Sequence, residues 1–448
     1  MPQPPATPLR RILGLGFGLA VIFGGTVGVG ILRLPATIAA QLPNPWLIAA
    51  VWLFGGAYAL LGAIQVAELG AALPQAGGFY VYTRHAWGPA AGFAMGWADW
   101  LNNCAVVAYG AAAAADYLTA LIPGLSPGLL PAGPHTQTAL AIAILALFSS
   151  IHWFGLQLSS RLQQVTSSLT AVTFLALAIA CLFHSSSAVA APHPTGSLFV
   201  AIAPLMAALR AIVVTYDGWY EAIYFTEEDT NAAHHLPRAM IGGVLTIIGL
   251  YLLMNLAFVH VLSLPALAAS TLPAADAARI VFPAGSAQFV TALSLLTLLS
   301  LINAVLLGAP RILFAIGRDG LFSSRAAQVS AGGTPRLALA ISAALVAIFL
   351  LSGQFDQIIA VAAILVAAMY CVNYSAVLWL RIRQPNLPRP FRAWGYPYTT
   401  LLVLAASIIF LVFDLRDDPA SGLRAAALLL VALPTYRLLS RRSAAQLS

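Results

Sequence analysis

Few residues of this chain carry charge, and several of those sit in apolar surroundings. The stretch LRAIVVTYDGWYEAIYFTEED, residues 209–229, sets Thr215-Tyr216-Asp217-Gly218 in the middle of an apolar run, with Glu221 one helical turn further on. An ionisable group inside a membrane span is costly and marks a functional position by default. Asp217 could carry a proton, hold an amine, or cap a helix that starts after it. Glu221 could pair with Arg210 or Arg33, or face a water-filled vestibule. Glu227, Glu228 and Asp229 could pair with arginines of the first or eighth apolar segment and close an inner gate; a solvated acidic loop is the plainer reading of Glu228 and Asp229. Asp99, in GWADWLNNC, lies beside Asn102 and Asn103 and could hydrogen-bond within a helix bundle. Asn303 could face a cavity or cross-link helices. Glu68, before LGAALPQAGG, reads as an anchor at a helix end.

Other chemistries lack their residues. The eight histidines show no ligand spacing, and Cys104, Cys181 and Cys371 are isolated in apolar segments, as packed thiols are. There is no phosphate loop, dinucleotide fingerprint or zinc-binding helix motif. Neither an enzyme nor an ATP-driven pump is expected, and no cofactor or metal.

The elements that position these residues must cross a bilayer. The 448 residues are 60% hydrophobic and 8% charged, with a mean hydropathy of +0.89, against about 25% charged in soluble domains. Twelve apolar segments fall near 12–41, 46–72, 89–122, 137–154, 162–184, 199–229, 238–263, 285–316, 336–352, 356–382, 397–414 and 422–439. The N-terminus MPQPPATPLRR is followed by an apolar run without a small-residue cleavage site, so the first helix is expected to be retained. The net charge of +7 comes with 21 basic residues, all arginine. With a cytoplasmic N-terminus, 16 of the 21 fall in inside connectors. That bias accounts for the charge without a nucleic-acid partner, and it predicts an even number of spans with both termini cytoplasmic.

Two of the segments are interrupted. Segment one contains VIFGGTVGVGILRLP, with Gly24, Gly25, Gly28 and Gly30 in its interior, where each glycine costs a helix roughly 1 kcal/mol relative to alanine. Segment six is broken by its polar patch, five spans later. Breaks at corresponding positions of two halves point to inverted repeats with a binding site near the midplane. At such breaks, free N–H groups can take an anion and free C=O groups a cation, a combination suited to a zwitterion. Close helix packing is the simpler reason for glycine in one segment alone.

Five stretches in order resemble the amino acid–polyamine–organocation (APC) superfamily, and most closely the L-type branch of its amino acid permeases. They are GGTVGVGILRLP, VAELGAALPQAGGFYVYTRHAWGPAAGFAMGW, YDGWYEAIYFTEEDTNAAHHLPRAMIGG, GAPRILFAIGRDGLF followed by TPRLAL, and LPRPFRAWGYP. The resemblance covers nearly the whole chain. It implies an all-α membrane domain of about 12 helices with a five-plus-five inverted repeat (LeuT-like), broken helices 1 and 6, and two extra C-terminal helices. In this sequence the repeats would be 12–184 and 199–382, and the extra helices 397–439. It implies a substrate carboxylate on the N–H groups of Gly28, Val29 and Gly30, and an amino group on carbonyls of Thr26, Val214, Thr215 and Asp217. Tyr216, Gly218 and Trp219 complete the expected site.

Departures from the pattern matter. Where relatives often have an aromatic gate this chain has Val214, for which Tyr216, Trp219 or Tyr220 could substitute. Two small polar positions of helix eight become Leu301 and Val305, which argues against a sodium site there, since hard cations need oxygen ligands. The position that holds a coupling lysine in some relatives is Thr170, and there is no lysine anywhere. L-type relatives in animals pair with a single-span partner through a disulfide; the connector between segments three and four has no cysteine, so no covalent partner is expected.

The expectation is a permease that moves amino acids across the cytoplasmic membrane by alternating access, as exchanger, uniporter or proton symporter. Asp217, Glu221, Glu227, Asn303 and Asp99 are the gating or coupling candidates. A polyamine or organic-cation carrier of the same fold, a non-transporting amino acid sensor, and a channel-like pore remain as alternatives.

Overall fold

A computed structural model describes residues 8–42, 44–122, 134–185, 202–282 and 284–447, without the side chains of 134, 135 and 441–447. The first seven residues, the connector whose lack of cysteine was noted (123–133), most of the connector before segment six and that segment's first residues (199–201) lie outside the described residues.

The described chain is helical: α1 (Leu15–Thr26), α2 (Gly30–Gln41), α3 (Pro45–Ala72), α4 (Phe79–Trp87), α5 (Pro89–Leu121), α6 (Pro134–Phe154), α7 (Leu156–Phe183), α8 (Ile202–Tyr216), a 3-10 turn (Glu221–Phe225), α9 (Ala232–Val261), α10 (Leu264–Ala269), α11 (Pro273–Val281), α12 (Ser286–Arg318), a 3-10 turn (Ser324–Ala327), α13 (Arg336–Ser352), α14 (Phe355–Arg383), α15 (Tyr398–Asp417) and α16 (Pro419–Leu447). Among the described residues, nine helices are long and apolar enough to cross a membrane, and α1 with α2 makes a tenth, bent by 47°. Each expected segment contains helix, but α13 has only 17 residues and α8 stops at Tyr216. The sequence reading has no element between 263 and 285; α10 and α11 fill that stretch, each with proline in its first turn.

Local chemistry sets the helix starts. Asn44 accepts the Trp46 N–H at 2.9 Å and Pro45 supplies the first helical residue of α3. α12 is the most enclosed span, packed against α5, α7 and α1, whereas α15 and α16 are the most peripheral.

Arginines gather at the face where α1 begins. Glu68 at the end of α3 is held by Arg381 (2.5 Å) and Arg389 (3.2 Å), the anchor expected of it. Arg318 meets Glu227 at 2.7 Å, Arg84 pairs with Asp319, and Arg311 pairs with Glu228. Leu13 and Asp229 form a backbone bridge across the same face.

Candidate functional site

The first break is three residues long. α1 ends at Thr26, the Val27 N–H still reaches the Phe23 carbonyl at 2.8 Å, and α2 starts at Gly30. The first N–H groups of α2 have no partner within their own helix. The second break follows Tyr216. The Asp217 N–H bonds the Val214 carbonyl at 3.3 Å, Gly218 takes φ +101°, and the Glu221 N–H reaches the Gly218 carbonyl at 3.2 Å. The chain then makes only a 3-10 turn, whose capping residue is Tyr220 with no side-chain cap bond. Capping by Asp217 is therefore not what the second break uses.

The two breaks touch backbone to backbone. A Cβ on Gly218 would lie 2.4 Å from the Gly25 carbonyl oxygen. Tyr251 of α9 ties them from behind, its hydroxyl 3.0 Å from the Thr215 carbonyl and 3.2 Å from the Thr26 carbonyl.

In front of the breaks lies a cavity of about 420 Å³. Thr26, Gly28, Val29 and Gly30 line it from the first break, and Val214, Thr215, Asp217 and Gly218 from the second. Nothing stands within 4 Å of a Cβ placed on Gly28, so that position opens directly on the space. Asn102, Asn103 and Tyr109 of α5 and Tyr370 of α14 form other walls, and Leu301 and Val305 of α12 offer only hydrocarbon. Arg33 and Arg210, both exposed, line the end away from the arginine-rich face, where Arg210 bridges to Asp414 (3.1 Å) and Asp417 (2.5 Å) of α15.

Tyr216 and Trp219 do not line the cavity. Both face the protein instead: the Tyr216 hydroxyl donates to the Trp52 carbonyl at 3.3 Å, and Trp219 stacks on Tyr370 with ring centroids 5.5 Å apart. Of the aromatic substitutes considered for a gate, only Tyr220 reaches the cavity. It packs edge-on to Tyr370 at 6.0 Å, and the Tyr370 hydroxyl donates to Asp217 Oδ1.

The gating and coupling candidates separate into four places. Glu221 lines the cavity and is 2% exposed, and no described arginine pairs with it; Arg210 is taken by α15 and Arg33 lies over the Tyr117 ring. Asp99 is buried behind the cavity wall, its Oδ1 accepting from Tyr224 (2.7 Å) and Asn103 (3.1 Å). Asn303 does not face the cavity. It cross-links α12 to α6 and α7 through His152 (2.8 Å), the Ser159 carbonyl (3.2 Å) and Gln163 (2.7 Å). Glu227 and Glu228 lie at the arginine-rich face, and Glu228 is buried, not solvated: Arg311 grips it with two bonds of 3.0 and 2.9 Å. Its backbone carbonyl also accepts from Ile12 and Leu13. The cavity is thus sealed on this side by buried charge and backbone pairing.

Sequence reasoning missed Tyr251 and a polar knot on α1. Gln163 and Ser167 of α7 and Ser300 of α12 converge on α1, with Gln163 Nε2 3.3 Å and Ser167 Oγ 2.7 Å from the Ala20 carbonyl. Gly24 makes room for them; its Cβ would lie 2.1 Å from Gln163 Nε2. The signal for the knot was present as polar side chains in the apolar runs of segments five and eight.

The family model described as amino acid permease matches residues 17–430. The serine/threonine exchanger SteT of Bacillus subtilis (strain 168) is 26% identical over 442 residues, spanning 97% of this chain and 98% of its own length. The human b(0,+)-type amino acid transporter 1 is 22% identical, spanning 92% of this chain and 89% of its own length. The rat large neutral amino acids transporter small subunit 2 is 25% identical, spanning 96% and 80%. With a match running from the first helix into the last, the chain belongs to the amino acid permease family.

Proposed function

We propose that this chain is a secondary transporter that moves amino acids across the cytoplasmic membrane by alternating access. The observation that carries the reading is the pair of helix breaks facing one cavity, whose size suits a single amino acid. The substrate carboxylate would sit on the N–H groups of Gly28, Val29 and Gly30, at the positive end of the α2 dipole. The ammonium group would face the second break, with Val214, Thr215, Asp217 and Gly218 around it. The Thr26 and Thr215 carbonyls already take the Tyr251 hydroxyl, so the carboxylate of Asp217 is the better-placed counter-charge.

Residues 12–184 and 199–382 are read as the two inverted repeats, and 397–439 as two added helices. With both termini in the cytoplasm, the arginine-rich face is the inner one and the cavity opens outward, past Arg33 and Arg210. Buried bonds at Glu228 would then hold the inner gate, and rocking of the α1, α2 and α8 bundle against α5, α7 and α12 would exchange one opening for the other.

Counterflow into proteoliposomes tests this. Vesicles loaded with unlabelled amino acid should accumulate the same labelled amino acid transiently and saturably. A panel of amino acids, amines and polyamines identifies the class. Uptake of amines with no requirement for a free carboxylate would refute the carboxylate site; binding with no flux of any compound would refute transport.

A further inference from the structure

We propose that Glu221 and Asp99 form a proton-carrying pair beneath the cavity, so that each amino acid moves together with a proton; the inference rests on the transporter reading above. Glu221 is 2% exposed and Asp99 is fully buried. Glu221 Oε2 and Asp99 Oδ2 each have no hydrogen-bond partner among the described residues. No described cation pairs with either carboxyl. Arg311 spends its guanidinium on Glu228, and Arg210 is bound to α15 at the far end of the cavity. Two buried carboxyls with open lone pairs and no counter-ion need a positive charge.

The surroundings decide which charge. Glu221 faces Asp99 from α5, Asp217 from the break, and Tyr220 and Tyr224 from its own stretch, and it shares the cavity lining with Asn102 and Asn103 of α5 and Tyr370 of α14. From α1 and α12, Gly25 and Gly308 approach it closely. A Cβ on Gly25 would lie 2.5 Å from Glu221 Cγ, and one on Gly308 would lie 3.2 Å from Glu221 Oε2 and 2.9 Å from the Tyr224 ring. Asp99 lies outside the cavity lining and connects to it through Asn103, which donates to Asp99 Oδ1 and lines the cavity, and through Tyr224. A substrate group in the cavity meets Glu221 but not Asp99, which lies outside the lining; a proton reaches both.

The position also supplies the coupling. Glu221 is wedged between α1 and α12, on opposite sides of the seam along which one bundle must slide past the other. With both carboxyls ionised, Glu221 and Asp99 repel across that seam. A proton on the pair removes the repulsion and crosses with the substrate. A zwitterion and one proton together carry one positive charge per cycle.

The test uses the full chain in proteoliposomes holding a pH-sensitive dye, with potassium and valinomycin setting the voltage. The substrate is an amino acid that shows counterflow with the unaltered protein. Adding it outside should acidify the lumen, and each unit of inward pH difference should support about tenfold accumulation. Glu221→Gln should lose both responses whatever its residual counterflow, Glu221→Asp should recover part of them, and Asp99→Asn should weaken them. Should Glu221→Gln not fold, Asp99→Asn carries the same readout from outside the cavity lining. Counterflow without acidification in the unaltered protein overturns the inference and leaves the transporter reading standing. So does Glu221→Gln that acidifies at the original stoichiometry, or that loses lysine and arginine alone, which would make Glu221 a side-chain selector. Absence of counterflow for every amino acid would overturn the transporter reading itself.

Discussion

Glu228→Gln should spring the closed face of the transporter. The unaltered pair is buried on both sides, 1% and 0% exposed, with two short charge-assisted bonds. Replacing the carboxylate by a neutral amide leaves the Arg311 guanidinium buried without a counter-charge. Breaking a buried pair in this way costs about 3–5 kcal/mol. In an alternating-access protein that cost falls on the state closed at this face, because opening lets water reach Arg311. At about 1.4 kcal/mol per tenfold, the closed-to-open ratio falls by roughly a hundredfold to several thousandfold. A swing from 1:99 to 99:1 needs about 5.5 kcal/mol, so a strongly closed gate would approach balance. The assay is a single cysteine at Ala222, which shares a small pocket with Leu13 and Phe17 on the closed side, in a chain without Cys104, Cys181 and Cys371. A membrane-impermeant thiol reagent applied from the arginine-rich face should modify it about a hundredfold faster, or more, in Glu228→Gln. Adding Arg311→Gln removes the stranded charge and should restore most of the protection, since neutral replacement of both partners costs little. A rate within twofold of the parent, or a double variant that opens as readily as the single one, would refute the reasoning.

Glu227→Gln should open the same face far less, by under about tenfold, because the Arg318 pair is a quarter exposed and such pairs are worth about 0.2–1 kcal/mol; the same thiol assay reads it. Gly28→Ala should fold and still transport, since its Cβ meets nothing, whereas Gly28→Leu should fold equally well and lose uptake by filling the cavity against the α2 N-terminus; thermal stability and counterflow separate the two. Gly218→Ala combines a positive φ with a 2.4 Å approach to the Gly25 carbonyl, and should cost about 3 kcal/mol or more, read as loss of folded yield and melting temperature in detergent. Tyr251→Phe removes one hydroxyl shared by two carbonyls and should cost about 1 kcal/mol, lowering the melting temperature by a few degrees.

Much of this was legible because hydrocarbon imposes a simple rule. Apolar runs of about 20 residues must be spans, and polar residues inside them must be explained. Gly28, Asp217 and Gly218 violate the local rule visibly, and all three line the cavity. Glu228 could be paired with an arginine of segment eight on sequence grounds, but its burial could not be read, because burial depends on how α12 and the N-terminal Ile12–Leu13 segment close over it. Tyr216 and Trp219 lie next to Asp217 in sequence yet face away from the cavity. Gly218 turns the chain at φ +101°, so neighbours in the break do not share a direction, and a helical wheel cannot predict their orientation. Tyr251 was invisible for another reason: a lone hydroxyl in an apolar run gains meaning only from the two broken helices it meets.

The glycines of segment one show why a single explanation for them fails. Gly24 and Gly25 belong to α1, and each is a site of close approach: Gln163, Ser167 and Ser300 press on the first, and Glu221 on the second. Gly28 has open space around it and belongs to the break itself. Packing and unwinding are therefore adjacent jobs on one segment. They also depend on each other. An unwound turn leaves backbone groups that a membrane cannot solvate. The Ala20 carbonyl, inside α1, accepts from Gln163 and Ser167 of α7, which press in where Gly24 has no side chain, and the Thr26 carbonyl at the end of α1 accepts from Tyr251 of α9. Gly24 lets α7 bind the body of α1, Tyr251 holds its broken end, and the break can then turn its remaining N–H groups toward the cavity. The penalty of roughly 1 kcal/mol per glycine is offset at the same residues that incur it. A substitution at Gly24 would accordingly weaken the binding site without touching it.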